Sequence, residues 1–179
     1  MGIPHNPCKA LLFIGTLFQQ TGYYFETRHA LEKVFGEIVM ESSPIQWNFS
    51  DYYADEMGQP LYRRFIFFKK LINQEDLSSI KLMTNVTERG FSMAGKRKIN
   101  LDPGYLTPAK IVLASTKDYS HRIYLGDGIY GEVTLIFKRG RFTAHVNTYK
   151  DYLDERYFMV FAVARKLLSL LSSNELGMA

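Results

Sequence analysis

Two strand-like runs, Tyr119–Leu125 and Ile129–Lys138, flank Gly126-Asp127-Gly128, and this hairpin signal constrains the fold more than any other stretch of the chain. A three-residue loop sets the pairing, placing Arg122 opposite Glu132 and Tyr124 opposite Tyr130. A second turn at Arg139-Gly140 sets Glu132 opposite Asn147 and Thr134 opposite His145. The predicted product is a three-stranded meander with two unlike faces. One is apolar (Ile123, Val133, Leu135, Phe137, Phe142, Val146) and one is polar (Arg122, Glu132, Asn147, Thr134, His145). His121 falls on the apolar side. A slip of one residue would exchange the faces, so the pairing is a testable expectation.

Upstream, Ala10–Ile14 is apolar and β-rich, as a strand buried on both faces should be. Thr27 is placed to cap a helix ending near Phe35, with Gly36 as its stop. Glu37–Glu41 reads as a second strand and Leu61–Leu71 as a third, with irregular sequence from Ser42 to Pro60 between them. A helix opened by Glu75 or Asp76 runs to about Glu88, and Ile99–Leu101 or Ile111–Ala114 supplies the next strand. Strand, helix, strand, strand, helix, strand is the order of a ferredoxin-like unit. The meander follows, and a closing helix from Leu153 to Leu171 ends in a frayed Asn174–Ala179. The expected fold is therefore α+β in one domain, residues 1–179, built on a mainly antiparallel sheet of about six or seven strands.

Composition narrows the class. The chain has 179 residues, is 46% hydrophobic and 22% charged, and so can bury a substantial core. Its net charge of +4 and pI near 9.1 come from bases interleaved with acids, without the basic stripe of a typical nucleic-acid binder. Cys8 is the sole cysteine, which excludes an internal disulfide and a cysteine metal cluster. No secretion signal precedes Ala10 and no apolar run is long enough for a membrane span, so a cytoplasmic protein is expected. Nothing in the chain sets an oligomeric state.

The chemistry is concentrated between Arg97 and Glu132. Arg97, Lys117 and Arg122 are cations suited to phosphate or carboxylate, Asn100 can orient a ligand, and Tyr124 can offer a hydroxyl. Asp102 and Glu132 can bind a divalent ion or act as base, and His121 can exchange a proton near neutral pH. Pro103-Gly104 suits the centre of a type II turn led by Asp102. Lys81, Asn85 and Glu88 share a helix face, while Asp51, Tyr53 and Glu56 sit in a loop able to form a lid. Gly90–Lys96 matches seven positions of a phosphate-binding loop, but Arg97 replaces the required Ser or Thr and the strand-to-helix context is missing.

Asp51-Tyr-Tyr-x-x-Glu-Met-Gly58, Lys81-x-x-Thr-Asn85-x-x-Glu88, Arg97-x-x-Asn-Leu-Asp-Pro-Gly-Tyr105 and Ala114-Ser-Thr-Lys-Asp-Tyr-x-His-Arg-Ile-Tyr-Leu125 together resemble one bacterial family of unknown function, DUF4416. Gly128-Ile-Tyr-x-Glu-Val-Thr-Leu135 and Tyr149-x-Asp-Tyr152 extend the resemblance from about Ala10 to Phe161. Family members favour Trp where this chain has Asn147. Members are often labelled GTP-binding proteins, although no Asn-Lys-x-Asp motif is present here. The resemblance implies that the motif residues form one site. The leading expectation is an enzyme or binding protein for a small phosphate- or carboxylate-bearing ligand, a nucleotide among the candidates, with a divalent metal as a candidate cofactor. The alternatives are a non-catalytic RNA-binding module and a structural protein whose ion pairs are scaffold.

Overall fold

The apolar run at the start of the chain becomes β1 (Ala10–Phe18), with all its residues buried. Leu11 and Phe13 enter one core, Leu12 and Ile14 another on the opposite face, which is why the run does not alternate in polarity. The computed structural model describes residues 2–175. After β1 come α1 (Thr21–Phe35), β2 (Ile38–Glu41), β3 (Ile45–Trp47), α2 (Ala54–Met57) and β4 (Leu61–Ile72). A 3-10 turn (Gln74–Asp76) leads into α3 (Leu77–Gly90), the hairpin β5 (Ser92–Met93) and β6 (Lys96–Arg97), and β7 (Ile99–Leu106). Next are β8 (Lys110–Ser115), β9 (Ile123–Gly126), β10 (Ile129–Lys138), β11 (Arg141–Thr143), a 3-10 turn (Lys150–Leu153) and α4 (Glu155–Glu175).

The fold is α+β, with an antiparallel sheet of nine strands. Seven lie in the order β11-β10-β8-β7-β1-β4-β2, while β3 pairs with β4 and β9 with β10. The segment β7-β1-β4-β2 is the ferredoxin-like unit, closed by β7 and not by Ile111–Ala114. α1 and α3 cover the face bearing Ile14, Ile66 and Leu101; α4 covers the face bearing Phe13, Phe65 and Phe67. Among the described residues no helix is long and apolar enough to cross a membrane.

Several local expectations are corrected. Thr27 is not a cap: α1 begins at Thr21, and Tyr24, Thr27 and Leu31 form its buried stripe. Packing of that stripe on the sheet overrides the capping preference. Asn174 and Glu175 continue α4, and residues 176–179 lie outside the described residues. Gly90–Arg97 is a helix end and a tight hairpin, with Ala94 and Gly95 both at positive φ in its turn.

Both hairpins form in the predicted register, with Tyr124 opposite Tyr130 and Phe142 opposite Phe137, but β8 takes one edge of β10 from Tyr130 to Ile136, so β9 and β11 share the other edge and β10 does not lie between them. The faces also differ from expectation at four points. Leu113 pairs with Glu132 and Ile111 with Leu135, so a bulge at Thr134 puts Glu132 and Leu135 on the same face while Val133 turns to the other. β11 ends at Thr143, and the chain then leaves the sheet with Val146 and Asn147 exposed. His145 turns back to the Val133 carbonyl. Ile123 is exposed on the outer hairpin, not buried in an apolar face.

Pro103-Gly104 forms no turn; β7 runs straight through it. Gly104 is required by close approach instead, because a Cβ there would lie 2.5 Å from the Val112 carbonyl oxygen and 2.6 Å from Phe13 Cζ. Both obstacles belong to the middle of the sheet and cannot swing aside. Gly104→Ala is expected to destabilise the protein by about 1–3 kcal/mol or more. Urea unfolding would measure this, and a wild-type midpoint would show that β7 and β8 separate at little cost.

Candidate functional site

β7 pairs with β1 along its whole length, but with β8 only from Gly104 to Leu106. The two strands therefore fork. Pro103 has no N–H to offer a ladder, and it lies where the fork opens. Beyond it, Leu101 has no partner strand on its outer edge among the described residues, and buried backbone groups must be satisfied. α3 supplies the substitutes: Glu88 Oε1 accepts the Leu101 N–H at 2.5 Å, and Lys81 Nζ donates to the Leu101 carbonyl at 2.8 Å. Lys81 and Glu88, two helical turns apart, thus grip one residue from the same face. Both are buried, although the same polar face on its own would also suit a solvated helix.

The fork opens into a cleft of about 610 Å³. Its floor is a chain of charged hydrogen bonds. Arg63 reaches from β4 across β1 to give Nη1 to Asp102 Oδ2 at 2.8 Å, and Nη2 to Asp151 Oδ2 at 3.3 Å. Its route passes over Gly15, where a Cβ would sit 3.1 Å from Nη1. Asn100 Nδ2 donates to the same Asp102 oxygen at 2.8 Å, and Arg97 Nη1 donates to Asn100 Oδ1 at 2.9 Å. Arg97 is held from outside by a bidentate pair to Glu56, both contacts at 2.7 Å. Trp47 Nε1 donates to Asp151 at 3.2 Å.

Across the fork, Glu132 Oε2 accepts from Arg122 Nε at 2.8 Å and contacts His121 Nε2 at 2.9 Å. Arg122 also donates to Ser115 Oγ and the Lys117 carbonyl, each at 2.8 Å, and to the Tyr149 hydroxyl. His121 is thus on the polar side, contrary to the strand register, because the chain is in a turn there and side-chain alternation no longer applies. Glu132 is 4% exposed, and its second oxygen, Oε1, is buried without any hydrogen bond among the described residues. Asp102 Oδ1 also takes none, but it belongs to a side chain partly open to the cleft.

Nine of the sequence-predicted site residues line this cleft: Arg97, Asn100, Asp102, Lys117, Glu132, Tyr53, Lys81, Asn85 and Glu88. Arg122, His121 and Glu56 stand behind it and hold Glu132 and Arg97 in place. Tyr124 and Asp51 are not brought in. Tyr124 packs on Tyr130 in the outer hairpin, and Asp51 lines a separate polar hollow beside Gln59. Sequence reasoning missed Arg63 and Trp47 as part of the site, and reached Asp151 and Tyr152 only as members of the Tyr149–Tyr152 motif, with no role for either. Arg63 carried a legible signal: it shares a strand face with Phe65 and Phe67, where an unpaired charge would be costly. The mouth is crossed by Tyr52 from the loop before α2 and Lys117 from beyond β8, with Lys117 Nζ 4.8 Å from the Tyr52 ring centre.

The floor carboxyls are tuned in opposite directions. Burial opposes ionisation of Asp102, but the charges of Arg63 and Lys81 and hydrogen bonds from Arg63 and Asn100 hold its carboxyl below the ordinary range. Burial dominates at Glu88 and Asp151 and raises both, despite Lys81 beside the first and Arg63 beside the second. Burial, reinforced by Glu132, also pushes the Tyr149 hydroxyl up to about 12. A raised carboxyl contributes stability that is fully present below its ordinary value and is lost as pH rises through the raised one. Glu88→Gln removes that loss, so its stability relative to wild type should improve as the pH goes from about 4 to about 8. Urea midpoints at several pH values read the difference; a pH-independent gap would contradict a raised Glu88.

Among the described residues, no three His, Cys, Asp or Glu side chains are grouped to hold a metal ion. A divalent ion between Asp102 and Glu132 would need the ligand or water for the rest of its shell.

Neither a search of curated proteins nor one of solved structures finds a match to this chain. The sequence pattern of one family, described as Domain of unknown function (DUF4416), does match, over residues 8–167. That span includes every residue of the cleft, and the chain belongs to this family.

Proposed function

We propose that the protein binds a small anionic ligand, about the size of a nucleotide, in the fork between β7 and β8. The single observation that carries this reading is Glu132 Oε1. A carboxylate fixed by Arg122, 4% exposed and with an oxygen lacking any partner is costly unless something donates to it. It lines a cleft whose volume falls in the range of small-molecule sites, roughly 300–1,000 Å³. Phe49, Tyr52 and Tyr53 offer apolar surface to the body of the ligand. The four carboxylates on the cleft wall speak against a continuous phosphate backbone, so RNA is not the occupant we favour.

Thermal unfolding of the protein with nucleotides, sugar phosphates, di- and tricarboxylates and divalent metals tests the proposal. A true ligand at 100 times its Kd stabilises by about 2.7 kcal/mol, which at this chain length raises Tm by roughly 5–11 °C. The shift should be absent in folded Asp102→Asn. A shift of equal size in that variant would place binding elsewhere, and no shift with any probe would overturn the reading.

A further inference from the structure

We infer that the ligand is a hydroxyl-bearing phosphate monoester that enters hydroxyl end first, with sugar-type hydroxyls on Glu132 Oε1 and Asp102 Oδ1 and the phosphate at Lys117 and Lys150 at the mouth. This rests on the fork being a ligand site, and it adds the orientation and chemical class. Each floor carboxylate is held by an arginine through one oxygen only, Glu132 by Arg122 and Asp102 by Arg63. The remaining oxygen of each is an acceptor: that of Glu132 is buried and unpaired among the described residues, and that of Asp102 belongs to a side chain partly open to the cleft. A phosphate or carboxylate placed there would meet like charge, so the anionic part of the ligand must sit away from the floor.

The cations divide in the same way. Arg63 and Arg97 are committed to carboxylates, and Lys81 to the Leu101 carbonyl. Lys117 and Lys150 line the cleft, are exposed, and form no ion pair among the described residues. Lys117 rests on the Tyr52 ring, a weak contact that a phosphate can replace. Donors deep and anion outside is therefore the polarity that the cleft accepts.

Strand geometry adds a constraint on the number of donors. Glu132 and Gly104 both pair with Leu113, and Asp102 lies two residues further along β7. Two strand spacings sideways and two residues along would put the Cα atoms of Glu132 and Asp102 about 12 Å apart in an unbroken sheet, and the fork separates them further. A lone hydroxyl has one proton to donate and satisfies only one of the two carboxylates. Several hydroxyls spread over a sugar-sized body can satisfy both.

Isothermal titration of the full chain, with chelator present, separates the outcomes. The probes are ribose 5-phosphate, ribose, inorganic phosphate, adenosine monophosphate and citrate. Ribose 5-phosphate should bind at least about tenfold more tightly than ribose or phosphate alone. Glu132→Gln keeps an oxygen for Arg122 but presents an NH₂ where Oε1 stood, and should weaken the ester at least about tenfold. Lys117→Ala with Lys150→Ala, both on the surface, should reduce its affinity to that of ribose. If Glu132→Gln fails to fold, Asp102→Asn and the lysine pair carry the test. Tighter binding of adenosine monophosphate than of ribose 5-phosphate would identify the ester as a nucleotide, and the reverse as a free sugar phosphate. Citrate or phosphate binding as tightly as the ester, unaffected by Glu132→Gln, would keep the fork as an anion site but overturn the hydroxyl-first orientation. No binding by any probe would overturn both readings.

Discussion

Arg63→Met is expected to lower folding stability by about 3–5 kcal/mol, because it leaves two inward carboxylates without their countercharge. Arg63 is 3% exposed and is the only cation that contacts both Asp102 and Asp151 among the described residues. Methionine can follow the path over Gly15 but brings no donor. For a chain of this length each 1 kcal/mol corresponds to roughly 2–4 °C, so a fall in Tm of roughly 6–20 °C should result. Arg63→Lys should recover only part of it, since an ammonium cannot fork between two carboxylates as a guanidinium does. Adding Asp102→Asn and Asp151→Asn to Arg63→Met should restore more stability than the lysine. A loss below about 1 kcal/mol for Arg63→Met would mean that the carboxyls are relieved by protonation or water, and that the arginine does not organise the floor.

Phe161→Ala should cost about 3–5 kcal/mol, the range for deleting a fully buried aromatic side chain. Phe161 projects from α4 into the sheet with no exposure, its ring 4.9 Å from that of Phe13 and 5.0 Å from that of Phe65. It also stacks with Tyr152 at 6.1 Å, and Tyr152 forms part of the cleft wall. The cavity should therefore be felt at the site as well as in the unfolding midpoint. Ligand affinity, once a ligand is in hand, should fall even though the substitution touches none of the polar groups. Urea unfolding gives the first number. A cost under about 1 kcal/mol would show that α4 is not docked through this residue.

Local pattern made several elements legible before any tertiary contact was known. The apolar run of β1, the register Tyr124–Tyr130 and the spacing of Lys81, Asn85 and Glu88 follow from periods of 2 and 3.6 that each segment carries within itself. The pairing of Arg122 with Glu132 was legible for the same reason: a short loop between two strands leaves little freedom in what lies opposite. The helix stripe was legible as a face, but not as a buried one.

Where a neighbouring element decided the outcome, the chain by itself was silent or misleading. Pro103-Gly104 has the composition of a turn; Phe13 and Val112, from two other strands, make it a crowded passage through the sheet. Thr134 looks like any strand residue until β8 pairs on both sides of it and leaves it as a bulge, which turns Glu132 toward the same face as Leu135. Arg63 finds Asp102 across β1 and Asp151 some 88 positions away in the chain, a meeting that no local period encodes. The sequence alone therefore determined which residue types could do polar chemistry and which faces they shared within each element. The tertiary structure decided that β7 and β8 part, that α3 fills the gap, and that one oxygen of Glu132 is left unpaired, because those outcomes depend on packing between segments distant in the chain.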